Sequence, residues 1–170
     1  MNYKDETIKA YDIYSEDFRK KTEDYAKELN YLKEIVDEFL KNIPKCGKIL
    51  DVGSGSGNYA LIFKNKGYDI ICIDLSKEMI KICKNKGLKA QLMDFESLKF
   101  PNNSFDGVWA YASIFHIPKR NLKSLLKRIS EIMKTNGVFY LGLFYGNREG
   151  FKIDKRYNGT RRWFSLYKDK

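Results

Sequence analysis

A glycine-rich turn that directly follows an acidic residue is the first stretch of the chain that could carry chemistry. In "ILDVGSGSGNYAL", a short apolar run ends in Asp51, and Gly53, Gly55 and Gly57 follow at alternate positions. Glycine has no Cβ, so the backbone can turn sharply there and a ligand can approach its amide groups. A helix after the turn adds N–H groups and a partial positive charge that favour an anionic group. The stretch is therefore either a tight turn or a ligand cradle.

The spacing of these glycines differs from the fingerprint of dinucleotide-binding proteins. The pattern is G-x-G-x-G, whereas that fingerprint is G-x-G-x-x-G, and Asn58 stands where its third glycine would be. The carboxylate of Asp51 would be poorly placed beside a pyrophosphate and well placed beside an ammonium group. We therefore expect a ligand with a positively charged end.

Asp74 is the second acidic residue to which we assign a binding role. It ends the apolar segment "DIICID", 21 residues after Gly53, where an acid at the tip of a second strand binds both hydroxyls of a ribose. A carboxylate has two acceptor oxygens and can take both hydroxyl protons. The alternative is that Asp74 caps the next helix, although Ser76 already provides a good cap there.

Asp94 follows a third apolar segment, in "LMDFESLKFPNNSFDGVW". Its carboxylate could accept a hydrogen bond from the amino group of an adenine, with Met93 and Phe95 against the ring faces. The alternative is an aspartate that only starts a turn. Together, the three acids and the glycines predict a ligand with an ammonium end, a ribose and an adenine.

Short apolar strands that alternate with helices must position these residues. The predicted strands are "KILDV", "DIICID", "KAQLM", "FDGVWAY" and "VFYLGLFY". The helices between them are "NYALIFKNKG", "SKEMIKICKNKG" and "RNLKSLLKRISEIMKTNG", and Gly67 and Gly87 end the first two. This alternation predicts an α/β fold, with a Rossmann-like, doubly wound, mostly parallel sheet flanked by helices. Because only "FESLKFPNNS" joins the third and fourth strands, either the third strand ends early or the connection holds a single helical turn.

The first 44 residues predict a helical cap. In "TEDYAKELNYLKEIVDEFLKNIP", Thr22 would cap the start of a helix and Pro44 follows its end. Apolar residues recur through this segment at helical spacing and form one stripe. The members of the stripe are Leu29, Leu32, Ile35, Val36, Phe39 and Leu40.

The chain of 170 residues predicts one domain. We expect a helical cap at 1–44, a cofactor-binding core at 45–145 and a C-terminal arm at 146–170. No apolar run approaches the ~20 residues of a membrane span, and the N-terminus lacks the apolar core of a signal peptide, so we expect a cytoplasmic protein. Three cysteines without ligand spacing and a single histidine predict no metal site.

These motifs, in this order, resemble the class I S-adenosylmethionine-dependent methyltransferases that act on small molecules. The resemblance runs from about residue 11 to the end of the chain. It is carried by "ILDVGSGSGNY", "IICIDLSKEMI", "LMDFESLKFPNNSFDGVWAYASIFHIP" and "GVFYLGLFYG". It implies S-adenosylmethionine as cofactor and S-adenosylhomocysteine as product.

The resemblance also implies roles for single residues. The three glycines would hold the methionine and ribose part, Asp51 the amino group and Asp74 the ribose. Met93 and Asp94 would hold the adenine, and the backbone of Ala110 would touch the methionine end. The remaining cofactor contacts that we assign are Leu75, Tyr11 and Phe18, of which Tyr11 and Phe18 would close over the cofactor. The alternative for Tyr11 is ordinary packing of an amphipathic helix.

His116, in "ASIFHIP", is the candidate catalytic residue. The methyl group is already activated, so a base is needed only where the acceptor must lose a proton. An unperturbed imidazole, with a pKa of about 6.5, suits that role. The alternative is a packed or hydrogen-bonding histidine that shapes the pocket.

A small-molecule methyl acceptor is the partner that we predict. The fourth strand is followed by "AYAS" in place of the N-P-P-Y or D-P-P-Y of amino-group methylases, and no cysteine stands where a pyrimidine-C5 methylase needs one. The net charge of +10 would attract nucleic acid, but the lysines are scattered near helix ends, as on solvated faces. The alternatives are a binding protein that holds the cofactor without turnover and, less favoured, a nucleic-acid methyltransferase.

The C-terminal segment departs from the family pattern. Such enzymes usually add a helix and two strands after the fifth strand, whereas this chain has only "GNREGFKIDKRYNGTRRWFSLYKDK". We therefore expect the last strands of the usual seven-stranded sheet to be missing and "KRYNGTRRWF" to form a β-hairpin arm. The alternative for this mixture of arginines and aromatic residues is a surface that binds single-stranded nucleic acid. The fifth strand would then have an apolar open edge. Three outcomes are open: the tail folds back over this edge, two copies of the chain pair there or through the arm, or the sequence is a fragment of a longer protein.

Overall fold

Five parallel strands form the central sheet of the computed structural model, which describes residues 2–28, 30–154 and 159–168, without the side chains of 25–31. The strands lie in the order β3-β2-β1-β4-β5, and every neighbouring pair is parallel. This order reverses between β1 and β4, which confirms the doubly wound α/β fold. The strands are β1 (Lys48–Val52), β2 (Asp69–Asp74), β3 (Lys89–Leu92), β4 (Phe105–Tyr111) and β5 (Met133–Gly142).

Within the described ranges, six helices and two short 3-10 turns connect and cover these strands. The turn Phe95–Ser97 lies between β3 and β4, so the prediction of a single helical turn there is confirmed. The second turn, Ile114–His116, follows β4. The helices are α1 (Tyr3–Ile13), α2 (Ser15–Glu28), α3 (Asn30–Lys41), α4 (Asn58–Asn65), α5 (Lys77–Asn85) and α6 (Lys119–Ile132).

Apolar residues pack on both faces of the sheet, as the near-continuous apolar strands predict. On one face, Trp109 of β4 is fully buried and packs its ring against Phe39 of α3 and Phe63 of α4. On the other face, Val108 belongs to a cluster that includes Ile129 of α6. These two layers fix the strand tips to which the binding residues are attached.

The helix boundaries in the core follow the predicted caps. The hydroxyl of Ser76 accepts a hydrogen bond from the backbone N–H of Met79 at the start of α5, which confirms that cap. Gly67 and Gly87 follow the ends of α4 and α5 with φ of +90° and +70°, a conformation that glycine adopts without steric strain.

One detail of the helix predictions is wrong, and another is not tested. Thr22 does not cap a helix, because it lies within α2 and its hydroxyl donates to the carbonyl oxygens of Phe18 and Arg19. Leu29 of the predicted apolar stripe lies outside the described residues.

The boundary between α6 and β5 also differs from the prediction. The predicted helix runs to Gly137, but the observed helix ends at Ile132 and β5 begins at Met133. Met133 pairs with Phe105, and the next pair joins Val138 to Gly107, so the extra residues of β5 form a bulge. Pairing with β4 therefore overrides the helical pattern of this segment.

The C-terminal segment forms an antiparallel hairpin, and its first strand lies before the segment "KRYNGTRRWF" for which the sequence predicts the hairpin. Strands β6 (Glu149–Asp154) and β7 (Thr160–Ser165) pair with each other, and Asn158 of the predicted turn lies outside the described residues. The hairpin contacts α1 and the Ile114–His116 turn. Within the described residues β5 pairs only with β4, so self-association through its other edge stays a prediction. No helix in the described part of the chain is both long and apolar enough to cross a lipid bilayer.

Candidate active site

A cavity of about 720 Å³ opens at the carboxyl ends of the strands, where the strand order reverses. Ligands of doubly wound sheets bind at this position, and the volume is within the ~300–1,000 Å³ of small-molecule pockets. The cavity brings together most of the predicted site residues, although they come from segments far apart in the chain. These residues are Tyr11, Phe18, Asp51, Gly53, Gly55, Asp74, Leu75, Asp94 and His116.

Three predicted cofactor residues do not line this cavity. Ala110 is fully buried within β4, and the residues after it, Tyr111 to Ser113, form the wall instead. Gly57 faces α5, since a Cβ on it would lie 2.9 Å from the sulfur of Cys83. Met93 packs against the apolar cluster that contains Val108 and Ile129. Side chains alternate along a strand and its extension, so a position at the strand end does not fix which way a residue points.

In the glycine loop, residues 53–57, the first glycine is required by close packing, and the second lies on the cavity wall. Gly53 has a φ of +67°, and a Cβ on it would lie 2.4 Å from the Cβ of Ser113. Gly55 has a φ of +52° and lines the cavity, where a Cβ on it would be in contact with Cε1 of Phe18 at 3.4 Å. The backbone N–H groups of Gly53 and Ser54 donate to the carbonyl of Ile73 and so anchor the loop to β2.

The carboxylate of Asp51 is buried on the cavity wall, and no described residue compensates its charge. The residue is 3% exposed, and its Oδ2 has no hydrogen-bond partner among the described residues. Burial, together with the nearby Cys83 and Asp74, raises the pKa of this carboxyl well above its usual range. A buried carboxylate of this kind is costly unless a cation or a donor meets it.

Asp74 connects the glycine loop to the start of α5. Its Oδ2 accepts from the backbone N–H of Gly55 at 2.9 Å, and its Oδ1 accepts from the N–H of Ser76 at 2.8 Å. Burial raises its pKa, although these two backbone hydrogen bonds oppose that shift. Each carboxylate oxygen has two lone pairs, so both can still accept from a ligand hydroxyl.

Asp94 is paired with a lysine that the sequence analysis did not identify. The Nζ of Lys4 in α1 lies 2.5 Å from Oδ2 of Asp94 and 2.7 Å from Oε2 of Glu96. Partial burial alone lowers the pKa of Lys4, but its hydrogen bonds to Asp94 and Glu96 raise it above the usual value. The Oδ1 of Asp94 also accepts from the N–H of Glu96, so the predicted turn-forming role is present as well.

Helix α1 closes the cavity because it is bound to both sides of the site. Its Asp12 accepts a hydrogen bond from the hydroxyl of Ser76 at 2.6 Å, beside Asp74. Its Thr7 accepts from the backbone N–H of Trp163 in the hairpin at 3.0 Å. Together with Lys4, these contacts span the cavity from the tips of β2 and β3 to β7.

His116 is held by hydrogen bonds on both ring nitrogens. Its Nε2 lies 2.7 Å from the hydroxyl of Tyr11, and its Nδ1 lies 2.6 Å from the carbonyl oxygen of Trp163. Burial lowers the pKa of His116 to about 3, and the positive charge of Arg162 lowers it further, while the Trp163 carbonyl opposes this shift. The imidazole is therefore neutral at physiological pH.

The wall around His116 is mainly aromatic. The rings of Phe115 and Phe164 are stacked with their centres 5.4 Å apart, and the ring centre of Phe144 lies 4.5 Å from that of Phe115. Tyr59 and Tyr111 contribute further rings to the wall. The sequence analysis missed Phe164, since nothing in the sequence of the hairpin shows that it folds back over the strand tips.

Comparison with known proteins agrees with this geometry. A family model described as a methyltransferase domain matches residues 50–141. The chain is 28% identical over 162 residues to the uncharacterized protein MJ1123 of Methanocaldococcus jannaschii, covering 95% of this chain and 73% of that protein. It is 32% identical over 133 residues to the ubiquinone/menaquinone biosynthesis C-methyltransferase UbiE of Rickettsia massiliae, covering 69% of this chain and 53% of that enzyme. The chain therefore spans about half the length of this enzyme.

Solved structures share the fold at low sequence identity. The PH0226 protein of Pyrococcus horikoshii superposes with a TM-score of 0.68 at 20% identity, covering 85% of this chain and 76% of that one. A SAM-dependent methyltransferase of Methanosarcina mazei superposes with a TM-score of 0.67 at 18% identity, covering 75% of this chain and 76% of that one.

Proposed function

Because this chain belongs to the class I S-adenosylmethionine-dependent methyltransferases, we propose that it is an active enzyme that methylates a small molecule held in the cavity. The family cofactor, S-adenosylmethionine, supplies a methyl group that is already activated on a sulfonium. The chain itself must hold that cofactor, orient the acceptor and exclude water.

The observation that carries the proposal is the buried Oδ2 of Asp51 on the cavity wall, which has no hydrogen-bond partner in the part of the chain that the structure describes. An ammonium group is the ligand chemistry that best compensates such a carboxylate. Asp74, with acceptor capacity left on both oxygens, suits the two hydroxyls of a ribose, and Asp94 suits an adenine amino group. These residues fit the cofactor, and Gly55 leaves the backbone accessible between them.

We expect Asp51→Asn to stabilise the free protein and to weaken cofactor binding. Removing an uncompensated buried carboxylate should raise the free energy of unfolding by about 1–3 kcal/mol near pH 7. Losing a charge-assisted hydrogen bond should raise the Kd for S-adenosylhomocysteine by about 10-fold to 100-fold. Urea unfolding and calorimetry measure the two effects.

The size of this stability difference depends on pH. Since the pKa of Asp51 is raised in the folded state, its destabilising effect develops as pH rises above the ordinary aspartate value of about 3.9. Wild type and Asp51→Asn should therefore differ little near pH 4 and most at neutral pH. Asp37→Asn, at an exposed carboxylate on α3, is the control and should change stability by less than about 0.5 kcal/mol. A variant that is destabilised at neutral pH would contradict the account.

The shape of the cavity supports a small acceptor. The acceptor side of the cavity, beside His116, is bounded by α1, the hairpin and the aromatic wall around Phe115, so it suits a small molecule rather than a polymer. The named relatives include the UbiE enzymes and a sarcosine/dimethylglycine N-methyltransferase of Aphanothece halophytica, 31% identical over 109 residues. The first name refers to the biosynthesis of quinones and the second to sarcosine and dimethylglycine, so both favour a small acceptor for this chain.

Release of S-adenosylhomocysteine over a panel of acceptors tests the proposal. The panel contains sarcosine, dimethylglycine, catechol-type phenols, and a mixed RNA and DNA sample. Release with a small acceptor supports an enzyme of the proposed class. Release only with nucleic acid would favour the nucleic-acid methyltransferase, and binding of S-adenosylhomocysteine without release on any acceptor would favour the non-catalytic binding protein.

We expect His116→Ala to lower turnover without changing the affinity for S-adenosylhomocysteine. The low pKa of His116, about 3, favours the alternative in which it orients groups on the acceptor side rather than taking a proton. Turnover of the wild type should then show no histidine inflection between about pH 5 and pH 8. Because the chain has one histidine, an inflection near pH 6.5 that is lost in His116→Ala would contradict this role and establish a base.

A further inference from the structure

A buried network of polar side chains joins α1, the Ile114–His116 turn and the hairpin at the acceptor side of the cavity. Arg162 of β7 forms an ion pair with Asp154 of β6, and both residues are 5% exposed. The Nη1 of Arg162 donates to the hydroxyl oxygen of Tyr11 in α1 at 2.7 Å. The same hydroxyl lies 2.7 Å from Nε2 of His116, whose Nδ1 meets the carbonyl of Trp163.

The direction of each hydrogen bond from Arg162 to Trp163 follows from the groups at the two ends of this network, a guanidinium and a carbonyl. A carbonyl can only accept, so Nδ1 of His116 carries the hydrogen that it donates to Trp163. In a neutral imidazole, Nε2 must then be the acceptor, and the Tyr11 hydroxyl donates to it. A guanidinium can only donate, so Arg162 supplies the hydrogen bond that the Tyr11 oxygen accepts.

We propose that Arg162 is a positioning residue for the acceptor side: it holds the Tyr11 hydroxyl in the direction that donates to His116, and so fixes both side chains on the cavity wall. The proposal rests on the proposed function. Arg162, Tyr11 and His116 all line the cavity, beside the stacked rings of Phe115 and Phe164. Arg162 and Tyr11 lie outside the segment that matches the methyltransferase domain.

Two further contacts make Arg162 suited to this task. Its guanidinium carbon lies 5.1 Å from the centre of the Tyr11 ring and 5.2 Å from that of Phe164. A planar guanidinium that stacks on rings and pairs with a carboxylate has a fixed orientation. Asp154 balances its charge, so the acceptor side gains a fixed hydrogen-bond direction without a net positive charge.

The single histidine makes the proposal directly measurable by nuclear magnetic resonance. A long-range proton–nitrogen spectrum of ¹⁵N-labelled protein shows the two ring nitrogens of His116 without assignment. In the wild type we expect one neutral tautomer with the proton on Nδ1 and Nε2 hydrogen-bonded. In Arg162→Met, the Nε2 resonance should shift toward the value of a free acceptor nitrogen, in the same direction as in Tyr11→Phe.

Arg161 provides a matched control on the same strand. Its guanidinium pairs with Glu6 at 2.8 Å and its side chain is 50% exposed, so Arg161→Met should leave the His116 resonances unchanged. Because Arg162→Met removes the buried ion pair with Asp154, Asp154→Asn combined with Arg162→Met keeps the test available if the single variant does not fold. Arg162→Lys should restore most of the wild-type Nε2 position, since an ammonium can still donate to Tyr11.

The result that overturns the proposal is a folded Arg162→Met protein, alone or with Asp154→Asn, whose Nε2 resonance stays at the wild-type position. An equal shift in Arg161→Met would overturn it as well. Calorimetry with S-adenosylhomocysteine on the same samples separates this failure from that of the proposed function. Wild-type protein that binds no S-adenosylhomocysteine contradicts the function, whereas normal binding with unchanged resonances contradicts only the role of Arg162.

Discussion

Gly53→Ala should lower the free energy of unfolding by about 2–5 kcal/mol. The positive φ of +67° strains any residue with a Cβ, and the added carbon would lie 2.4 Å from the Cβ of Ser113. Ser113 cannot move away easily, because it is buried and its hydroxyl donates to the carbonyl of Val52 at 2.6 Å. The loop must therefore shift, together with the two amides that it anchors on Ile73.

Gly67→Ala is the matched control for this prediction. Gly67 also has a positive φ, +90°, but a Cβ on it would meet no atom within 4 Å. It should therefore show only the backbone strain, about 1–2 kcal/mol. Urea unfolding of both variants gives the comparison. Equal losses in the free energy of unfolding would mean that the contact with Ser113 does not destabilise Gly53→Ala.

Asp74→Ala should raise the Kd for S-adenosylhomocysteine by about 100-fold. Hydrogen bonds to a charged group contribute about 1.5–3 kcal/mol each, and every 1.4 kcal/mol corresponds to about tenfold in affinity. The loss of Asp74 also frees the N–H of Gly55, so the glycine loop becomes less ordered where the ligand lies. Calorimetric titration of folded protein measures the effect.

Asp69→Ala is the control for Asp74→Ala, because the two aspartates stand at opposite ends of β2. Asp69 pairs with Lys89 on the surface, at 42% exposure, away from the cavity. Its removal should leave the Kd within about twofold, since exposed ion pairs contribute little. If Asp74→Ala, checked for folding by circular dichroism, binds as tightly as Asp69→Ala, the assignment of the ribose site is wrong.

The sequence predicts the sheet and the strand-tip acids well, because these features depend on local pattern. The strands of the sheet are short apolar runs that end at punctuating residues, and the predicted bounds of "FDGVWAY" are those of β4. Asp51 and Asp74 lie at strand ends, and parallel strands bring their carboxyl ends to the same edge. A reader of the sequence can therefore place both acids at one cavity.

Features that depend on contacts between distant segments are not predictable in this way. Lys4 reaches Asp94 across 90 positions of sequence, and Arg162 reaches Tyr11 across 151. Neither the charge pattern of the first helix nor the arm sequence marks these pairs. The prediction of where α6 ends is wrong for a related reason. Met133 belongs to a segment with a helical pattern, but it pairs with Phe105 of β4 and so lies in a strand.

The dual role of Asp74 shows why the two alternatives for a motif residue need not exclude each other. The sequence offers ribose binding or the start of a helix, and Asp74 does accept from Ser76 at the start of α5. It also accepts from Gly55 and faces the cavity. A carboxylate with four lone pairs can support the loop and still serve a ligand.

The central claim is that carboxylates at successive strand tips, with the open backbone of the glycine loop, bind S-adenosyl nucleosides. Calorimetric titration of the wild-type protein with S-adenosylhomocysteine tests it most directly, because no methyl acceptor is needed. The account predicts saturable binding of one ligand per chain. Folded wild-type protein that gives no binding heat at several temperatures, and no increase in unfolding temperature with excess ligand, would contradict it.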